Sequence, residues 1–337
     1  MNPRVPPVMG GPPQKGPPPV SLNAVSLNAD AEVVAAGKKS RFHDMVVALP
    51  WLLPTLILIA GVVLYPAGLM VYTSFFKYTK QGIRKGDAPI GLDNYIGPAG
   101  ALTFPGVPVG RILLNTVIWV VVVVIVTVLL SLLLAQFLNK PFRGRKLLRL
   151  FIILPWACSV VMTATVFRYG LQENVGLFNR LMVDTGILEV GRAWTKDPTS
   201  AFWIAVFVAI YVSLPFTTYT ILAGLQSVPD EVLEAAHVDG ASPSQRYLQI
   251  VLPLLRPAIA TAALINIINV FNSLPILRLL QETPGYHTGH ITTTLMYEYQ
   301  RSLGPGVSSA LSVLNFMFCL LIIAIYLAAV RPTKEVD

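Results

Sequence analysis

The feature that most constrains the fold of this sequence is a series of long stretches without a single Asp, Glu, Lys or Arg. A helix needs about 20 apolar residues to cross the roughly 30 Å hydrocarbon core of a bilayer. Six stretches reach or approach that length, and they are Met45–Phe76, Ile112–Asn139, Leu150–Phe167, Pro198–Pro229, Pro257–Leu277 and Ser302–Val330. The pattern predicts an all-α integral membrane protein with six transmembrane helices. Prolines inside these runs, such as Pro155, predict kinks that neighbouring helices of a bundle tolerate.

The composition also points to a membrane. Hydrophobic residues make up 54% of the chain and charged residues only 12%, whereas soluble proteins carry about 25% charged residues. A surface so poor in charge needs a solvent other than water. Lys and Arg outnumber the acids by 25 to 17, but their placement fits a membrane better than a nucleic acid. We therefore expect contact with membrane lipid and none with nucleic acid.

The basic residues predict the orientation of the spans. Between the second and third runs stand five cations and no acid, namely Lys140, Arg143, Arg145, Lys146 and Arg149. Short loops rich in Lys and Arg stay in the cytoplasm. The basic residues that flank the first and last runs agree, although the opposing loop at 77–111 is also basic. With six spans, we expect a multi-pass protein of the cell (plasma or inner) membrane with both termini in the cytoplasm.

Residues 1–40 differ in composition from the rest of the chain. They are rich in Pro and Gly and cannot bury enough apolar surface to offset the entropy of the chain. We expect a disordered cytoplasmic tail at 1–40, a transmembrane domain at 41–332 and a short cytoplasmic tail at 333–337. Both cysteines, Cys158 and Cys319, lie in apolar runs, so we expect neither a disulfide framework nor a metal site.

The segment between the fourth and fifth runs, Ser227–Pro257, combines several helix signals and is called the elbow below. The acidic residues at 230–231 suit the first turn of a helix, where negative charge is stabilising. Gly240 can end that helix because glycine adopts the left-handed conformation at low cost. Ser242 and Gln245 can then form a capping box for a second helix, which would run into the fifth span. A soluble partner that grips this stiff bend could tilt that span.

The elbow resembles the EAA loop of ABC import permeases. The family pattern is E-A-A, three residues, G, nine residues, I, one residue and L-P, and every fixed position agrees. The matching residues are Glu234, Ala235, Ala236, Gly240, Ile250, Leu252 and Pro253. The surrounding sequences GLQSVPDEVLEAAHVDGAS and LPLLRP resemble the carbohydrate branch of this family, and GLDNY at Gly91–Tyr95 resembles its periplasmic G-L-x-N-Y. TTTLMYEYQRS at Thr292–Ser302 resembles the segment before the last span in the maltose-type first permease subunit, and the chain resembles the six-span relatives.

This resemblance implies a type I ABC importer-like permease fold with a cytoplasmic coupling helix. Residues 228–253 would form the coupling loop, which in the family docks into a cleft of the cytoplasmic ATPase, and Asp239 shares that implied role with the motif residues. The implied partners are a second homologous permease subunit in a heterodimer, two cytoplasmic ABC ATPase subunits, and an extracytoplasmic solute-binding protein or lipoprotein.

Hydrolysis of ATP is not expected from this chain. The phosphate-binding G-x-x-x-x-G-K-[ST] loop is absent from the sequence, and neither a catalytic triad nor a metal cluster is evident. We therefore expect a non-catalytic permease without a cofactor of its own, with ATP and Mg bound by the partner ATPase.

Polar side chains inside the spans are candidates for solute contact, because they are costly in a membrane unless they are used. Asn269 and Asn272, three residues apart, share a helix face, and the stretch resembles the Asn-rich sugar-contacting region of the maltose permease. The candidates are Asn266, Asn269, Phe271, Asn272 and Ser273, with Trp156 and Tyr219 as weaker ones. Interhelical hydrogen bonding explains the asparagines equally well, and aromatic packing explains the two weaker candidates better.

These observations predict the permease subunit of an ATP-driven, binding-protein-dependent importer that moves a sugar or sugar-like solute across the inner membrane. One alternative is an ABC importer permease for another solute, such as a glycerol phosphate ester, a polyol or a peptide. The span centres carry no cation that a phosphate ester would favour, which argues mildly for a neutral solute. A secondary transporter would need buried acids for ion coupling, and the six runs contain none. A membrane scaffold without transport is the remaining alternative.

Overall fold

The structure is a computed structural model. It describes residues 47, 49–86, 89–282, 285 and 287–330. The tails predicted at 1–40 and 333–337 lie outside the described residues. The chain divides into two units, Met1–Ala67 and Gly68–Asp337, and the sites considered below lie within the second unit.

Regular structure in the described residues is helical, apart from one antiparallel bridge between Tyr78 and Arg84. In chain order the helices are α1 (Leu49–Ser74), α2 (Asp93–Ile96), α3 (Val109–Asn139), α4 (Arg145–Ala157), α5 (Val160–Gly170), α6 (Leu177–Asp184), α7 (Pro198–Gln226), α8 (Asp230–Val238), α9 (Pro243–Leu254), α10 (Arg256–Phe271), α11 (Leu274–Leu280), α12 (Thr292–Ser302) and α13 (Pro305–Val330). A π-helical turn occupies Ile59–Leu64 of α1 and another occupies Arg246–Val251 of α9.

The candidate spans match the predicted apolar runs. Helices α1, α3, α7 and α13 are each long and apolar enough to cross a bilayer. Two further pairs pass the same test only together, and each pair is bent at a short break: α4 with α5 by 95°, and α9 with α10 by 61°. The described residues therefore hold four candidate spans, or up to six if each bent pair is one span. This agrees with the predicted all-α membrane fold.

The two bent pairs depart from the uninterrupted helices that the apolar runs indicate. Pro155 predicts a kink in the third run, and the structure has a full break shortly after it, because Cys158 takes an extended conformation with ψ of 147°. The elbow was predicted to run directly into the fifth span, and instead Leu255 separates α9 from α10. Pro257 has no N–H to donate to the preceding turn, which accounts for the break at this point.

Helix α7 begins where its sequence signals predict. The carboxylate of Asp197 accepts the backbone N–H of Ser200 at 2.7 Å, which caps the helix and lowers the pKa of Asp197 below its ordinary value. Pro198 stands at the first helical position, where its missing N–H would have had no partner within the helix.

Helices α3, α7, α10 and α11 share the largest hydrophobic cluster, which is built around Trp119. The indole of Trp119 is fully buried and its N–H donates to the carbonyl of Val270 at 2.9 Å. A buried indole usually finds such a partner. The bond ties α3 to the end of α10, and α3 and α7 pack against each other along their length. These contacts fix the C-terminal end of α10 against α3 and the rest of the hydrophobic cluster.

Gly224 lets α7 and α10 pack closely at the base of the elbow. A Cβ added there would lie 2.6 Å from the Cβ of Ala258 and 3.2 Å from Cδ2 of Leu255, well inside the usual carbon–carbon separation of about 3.5–4.0 Å. We expect Gly224→Ala to destabilise the protein by about 1–3 kcal/mol through overpacking. A lower melting temperature of the purified protein in detergent would be the readout.

Gly110→Ala in α3 is the matched control, because nothing lies within 4 Å of a Cβ added at Gly110. Alanine is the better helix former, so the melting temperature of this variant should be unchanged or slightly higher. An equal loss of stability in the two variants would contradict the close-packing argument.

The loop between α11 and α12 buries a histidine. His290 is 5% exposed, its Nε2 lies 3.0 Å from the carbonyl of Gly285 and its Nδ1 lies 2.9 Å from Oγ1 of Thr294. Its ring stacks on His287 with centroids 3.9 Å apart. Burial lowers the pKa of His290 below its ordinary value of 6.5, Arg278 adds to this, and the bond to Gly285 opposes it.

The lowered pKa predicts a loss of stability in mild acid. The folded state favours neutral His290, so its contribution is fully present above about pH 6.5 and is lost as the pH falls below that value, where the unfolded chain takes up the proton first. We expect the melting temperature to fall between about pH 7 and pH 5, and to fall less in His290→Gln. Superimposable pH profiles for the two proteins would disprove this role.

Candidate functional site

The first arm of the elbow ends in a tight reversal at Gly240. The φ of Gly240 is +79°, in the left-handed region that glycine adopts without a side-chain penalty. The N–H groups of Gly240 and Ala241 donate to the carbonyls of His237 and Ala236, at 3.1 and 3.0 Å. This pair of bonds is the Schellman motif. The predicted helix stop at Gly240 is confirmed.

The second arm of the elbow begins with the predicted capping box. The Oγ of Ser242 accepts the N–H of Gln245 at 3.3 Å, and the N–H of Ser242 donates to Oε1 of Gln245 at 2.9 Å. Reciprocal bonds of this kind satisfy two backbone donors at once and set the direction in which the chain enters the helix. The elbow therefore consists of two short helical arms with hydrogen-bonded ends, and its second arm leads through the 61° bend into α10.

Most motif residues on the first arm are accessible. Glu234, Ala235, Asp239 and Gly240 are exposed, whereas Ala236 is buried. The neighbouring Val238 is also 86% exposed. The first arm thus presents carboxylates together with apolar surface, which is the kind of mixed surface that a protein partner can bind.

The motif residues on the second arm are less exposed. Ile250, Leu252 and Pro253 are all partly buried. Leu252 and Pro253 line an apolar cavity of about 820 Å³ between α3, α9, α10 and α13. The motif therefore divides into an outward-facing first arm and a second arm that packs on the spans.

A cavity of about 600 Å³ lies between α4, α5, α7 and α10. Most of its lining is apolar, and it is called the polar cavity below for the asparagines in its wall. Its walls include Trp156 and Val160 on one side, Ala209, Val212, Ser213 and Phe216 of α7 on another, and Asn266, Asn269, Asn272 and Ser273 from the end of α10 and just beyond it. The structure thus brings together five of the seven predicted solute-contacting residues. Among the described residues that line it, none is charged.

The other two candidates lie elsewhere. Phe271 is 1% exposed and its ring packs on Phe318 with centroids 5.9 Å apart. It points away from the cavity because it lies about 100° around the helix from Asn272 and about 160° from Asn269. The hydroxyl of Tyr219 donates to the carbonyl of Arg149 at 3.0 Å, outside the cavity lining. Both aromatic side chains therefore pack between helices.

The three asparagines have different surroundings. The amide of Asn266 is buried and donates to Oγ1 of Thr217 on α7 at 2.6 Å, which is the interhelical bond that the sequence left as an alternative. Asn272 is exposed and donates to the carbonyl of Ile268 at 3.1 Å, and Asn269 is exposed as well. Asn269 is therefore the asparagine best placed to meet a solute.

Sequence reasoning missed the wall contributed by α7. Ser213 and Phe216 line the cavity, and Ser213 is one of several hydroxyl residues within the fourth run. A polar side chain inside a span is costly unless it is used, so Ser213 carried a usable signal. Phe216 carried none, because aromatic residues are common on every face of a membrane helix.

The comparisons with known proteins agree with this architecture. Residues 127–332 match the family model described as binding-protein-dependent transport system inner membrane component. The chain belongs to this family. The permease is 31% identical over 296 residues to the sulfoquinovosyl glycerol transport system permease protein SmoG of Agrobacterium fabrum, which covers 87% of this chain and 92% of that protein.

Two further relatives cover shorter parts of the permease. A probable ABC transporter permease protein of Brucella suis biovar 1 is 35% identical over 216 residues, or 64% of this chain and 75% of the relative. The trehalose/maltose transport system permease protein MalF of Thermococcus litoralis is 33% identical over 202 residues, or 60% and 68% of the two chains.

A solved structure has the same fold. The permease matches a chain from the crystal structure of a bacterial alginate ABC transporter in complex with alginate pentasaccharide-bound periplasmic protein. The TM-score is 0.73 at 21% identity, over 88% of the permease and 98% of that chain. At this identity the likeness concerns the fold alone, which is all-helical in agreement with the prediction.

Membership of the family establishes the role of the chain, its location and the kind of transport system to which it belongs. The permease is the non-catalytic membrane component of an ABC importer, it has no cofactor of its own, and ATP is hydrolysed by a separate ATPase. It is a multi-pass protein of the inner membrane. Its transport system depends on a binding protein, and the family implies a second permease beside it.

Proposed function

We propose that this permease carries a sugar or sugar-like solute, and that the elbow transmits the motion of the ATPase to the solute pathway. The observation that carries the proposal is that one helix connects the two candidate sites. Helix α10 starts at Arg256, where the elbow ends, and finishes at Phe271, beside the asparagines of the polar cavity.

The elbow has the rigidity that a coupling element needs. Hydrogen bonds close both sides of its turn at Gly240 and Ser242, so a force on the first arm moves the second arm with it. Helix α10 has 16 residues and is therefore about 24 Å long. A small rotation at its elbow end would displace its cavity end by ångströms. The exposed residues Glu234, Ala235, Asp239 and Gly240 would contact the ATPase, and the buried Ala236 would support the first arm beneath them. Ile250, Leu252 and Pro253 would anchor the second arm to the spans.

The polar cavity fits a neutral, hydroxyl-rich solute. Asn269, Asn272 and Ser213 offer both donors and acceptors, and Trp156 offers an aromatic face. Relatives are named for sulfoquinovosyl glycerol and for trehalose and maltose. Together these features favour a sugar or a sugar derivative as the solute of this permease.

The assembly that follows has four protein partners besides the solute. A second, different permease would complete the pathway as a heterodimer, two ATPase subunits would bind the cytoplasmic face, and an extracytoplasmic binding protein would deliver the solute. The basic loop at 140–149 supports a cytoplasmic location of the elbow and of both termini under the positive-inside rule.

A second solute class is a glycerol phosphate ester. It is favoured by one relative, the sn-glycerol-3-phosphate transport system permease protein UgpA of Yersinia pestis, which is 26% identical over 280 residues. A phosphate group is usually held by Arg or Lys, and none of the described residues that line the polar cavity is either. We therefore rank this class below neutral sugars.

The proposal is tested with the whole transporter reconstituted in proteoliposomes. The purified permease should bring a second permease and ATPase subunits with it, and ATP should drive uptake of a radiolabelled disaccharide only when the binding protein is present. Uptake without ATP would contradict the coupling role. Uptake of glycerol 3-phosphate in preference to every neutral sugar tested would replace the proposed solute class.

A further inference from the structure

A third cavity, apolar and separate from the two described above, lies between α5, α6 and α7. This crevice has a volume of about 830 Å³. Six aromatic side chains line it, and they are Phe167, Phe178, Trp194, Trp203, Phe207 and Tyr211. Arg192 is the only charged residue among the described residues that line it. Its guanidinium carbon lies 4.8 Å from the centroid of the Trp194 ring.

The wall of the crevice is held in place by Asn179 of α6, which is 1% exposed. Its amide nitrogen donates to three backbone carbonyls, and its Oδ1 accepts from one backbone N–H and one indole N–H. The five partner atoms are the carbonyls of Leu171, Gln172 and Arg192 at 3.1, 2.9 and 2.9 Å, the N–H of Arg192 at 3.2 Å and the indole of Trp194 at 2.8 Å. The side chain uses its full bonding capacity, so the crevice is a preformed feature of the fold.

The crevice faces away from the polar cavity. Trp203, Phe207 and Tyr211 recur every four residues and form a stripe along α7. Phe216 lines the polar cavity nine residues after Phe207, and successive helical residues are about 100° apart, so the two side chains lie on opposite sides of α7. The proposed function places the second permease beside the polar cavity. On that basis the crevice opens toward the lipid of the bilayer.

We propose that the crevice binds one phospholipid, with an acyl chain among the aromatic rings and the phosphate beside Arg192. The volume lies in the range of about 300–1,000 Å³ typical of small-molecule sites, and a flexible hydrocarbon chain can follow a curved apolar surface. Trp and Tyr are enriched where the hydrocarbon meets the head groups. A guanidinium binds phosphate through charge-assisted hydrogen bonds. The lipid would thus bridge the rigid wall on α6 and the spanning helix α7.

A photo-crosslinker identifies the occupant directly. The residue p-benzoylphenylalanine is placed at position 207 of the assembled transporter, which is purified from its native membrane, washed extensively in detergent, illuminated and analysed by mass spectrometry. We expect an adduct of phospholipid mass. The matched control is position 133, since Leu133 is 64% exposed on α3 and lies outside the crevice. Loosely held lipid should be washed away there, so we expect at least a tenfold weaker adduct.

The other outcomes of this experiment overturn the proposal. An adduct with the second permease or with another segment of the permease would mean that protein fills the crevice. Equal phospholipid adducts at the two positions would mean bulk lipid contact without a site, and no phospholipid adduct at position 207 would exclude the site.

Arg192→Ala tests the head-group contact, with Arg180→Ala as its control. Arg180 is an exposed arginine of α6 that does not line the crevice. Hydrogen bonds to charged groups are among the stronger ones in proteins, so phospholipid retention measured by native mass spectrometry should fall about tenfold or more in Arg192→Ala and stay unchanged in Arg180→Ala. Equal retention would refute the head-group contact. Solute uptake is measured in parallel: lipid retained in Arg192→Ala counts against the crevice alone, whereas failure of the unaltered transporter to take up solute with ATP counts against the proposed function alone.

Discussion

Gly240→Val should abolish ATP-driven uptake while the membrane spans stay folded. Gly240 has a φ of +79° and nothing lies within 4 Å of an added Cβ, so the substitution acts through the backbone and not through a clash. A non-glycine residue costs about 1–2 kcal/mol in the left-handed conformation, and a β-branched residue is a genuine outlier there. The turn would open, and the first arm would lose its fixed direction relative to α10.

Uptake and ATPase activity are measured in proteoliposomes that contain the whole transporter. We expect uptake to fall at least tenfold, with ATP hydrolysis either lost or no longer stimulated by the loaded binding protein. Gly106→Val is the matched control, because Gly106 has a φ of +78° and equally open surroundings but lies outside the elbow. It should cost similar stability and leave coupling intact.

A second variant separates docking from the shape of the turn. Glu234 is exposed on the first arm, so Glu234→Lys should leave the fold unchanged and reduce the amount of ATPase that copurifies. Normal uptake together with normal ATPase association in both Gly240→Val and Glu234→Lys would defeat the coupling role of the elbow.

Asn269→Leu is expected to reduce solute transport about tenfold without loss of stability. Asn269 is exposed and lines the polar cavity, so its amide is free to bond a passing hydroxyl group. Leaving a desolvated polar group without its partner costs about 1–3 kcal/mol, and about 1.4 kcal/mol, within that range, corresponds to tenfold. The rate of uptake is measured at saturating binding protein, because the binding protein sets the apparent affinity.

Asn266→Leu is the informative comparison. Asn266 is 2% exposed and bonds Thr217, so its loss should lower the melting temperature, because Thr217 is left without its amide partner. If Asn269→Leu lowers stability and leaves uptake normal, the asparagines serve helix packing and the cavity is not the solute pathway.

The elbow could be predicted almost completely from the sequence, because its signals are local. A glycine stop, a capping box and an acidic first turn all act within a few residues of each other, and the structure has the stop at Gly240 and the box at Ser242 and Gln245. The spans could be predicted equally well, since length and lack of charge decide whether a helix can cross a bilayer.

The solute candidates were predicted only in part. Sequence spacing places Asn269 and Asn272 on one helix face, and both line the cavity. It does not reveal that Asn266 finds Thr217 or that Phe271 packs on Phe318, because those partners are far away in the chain. Pro155 predicted a kink in the third run, but the full break of 95° there and the 61° bend between α9 and α10 were missed, because apolar composition is the same whether a helix continues or breaks.

The sequence by itself determined that this chain is a multi-span helical membrane protein with a stiff elbow, because hydrophobic length and helix capping depend only on residues that are close together in the chain. The tertiary structure alone decided which polar groups face a cavity, which bond another helix, and that Asn179 holds an aromatic crevice against α7. Those outcomes depend on which distant segments pack together, and packing is a property of the folded chain as a whole.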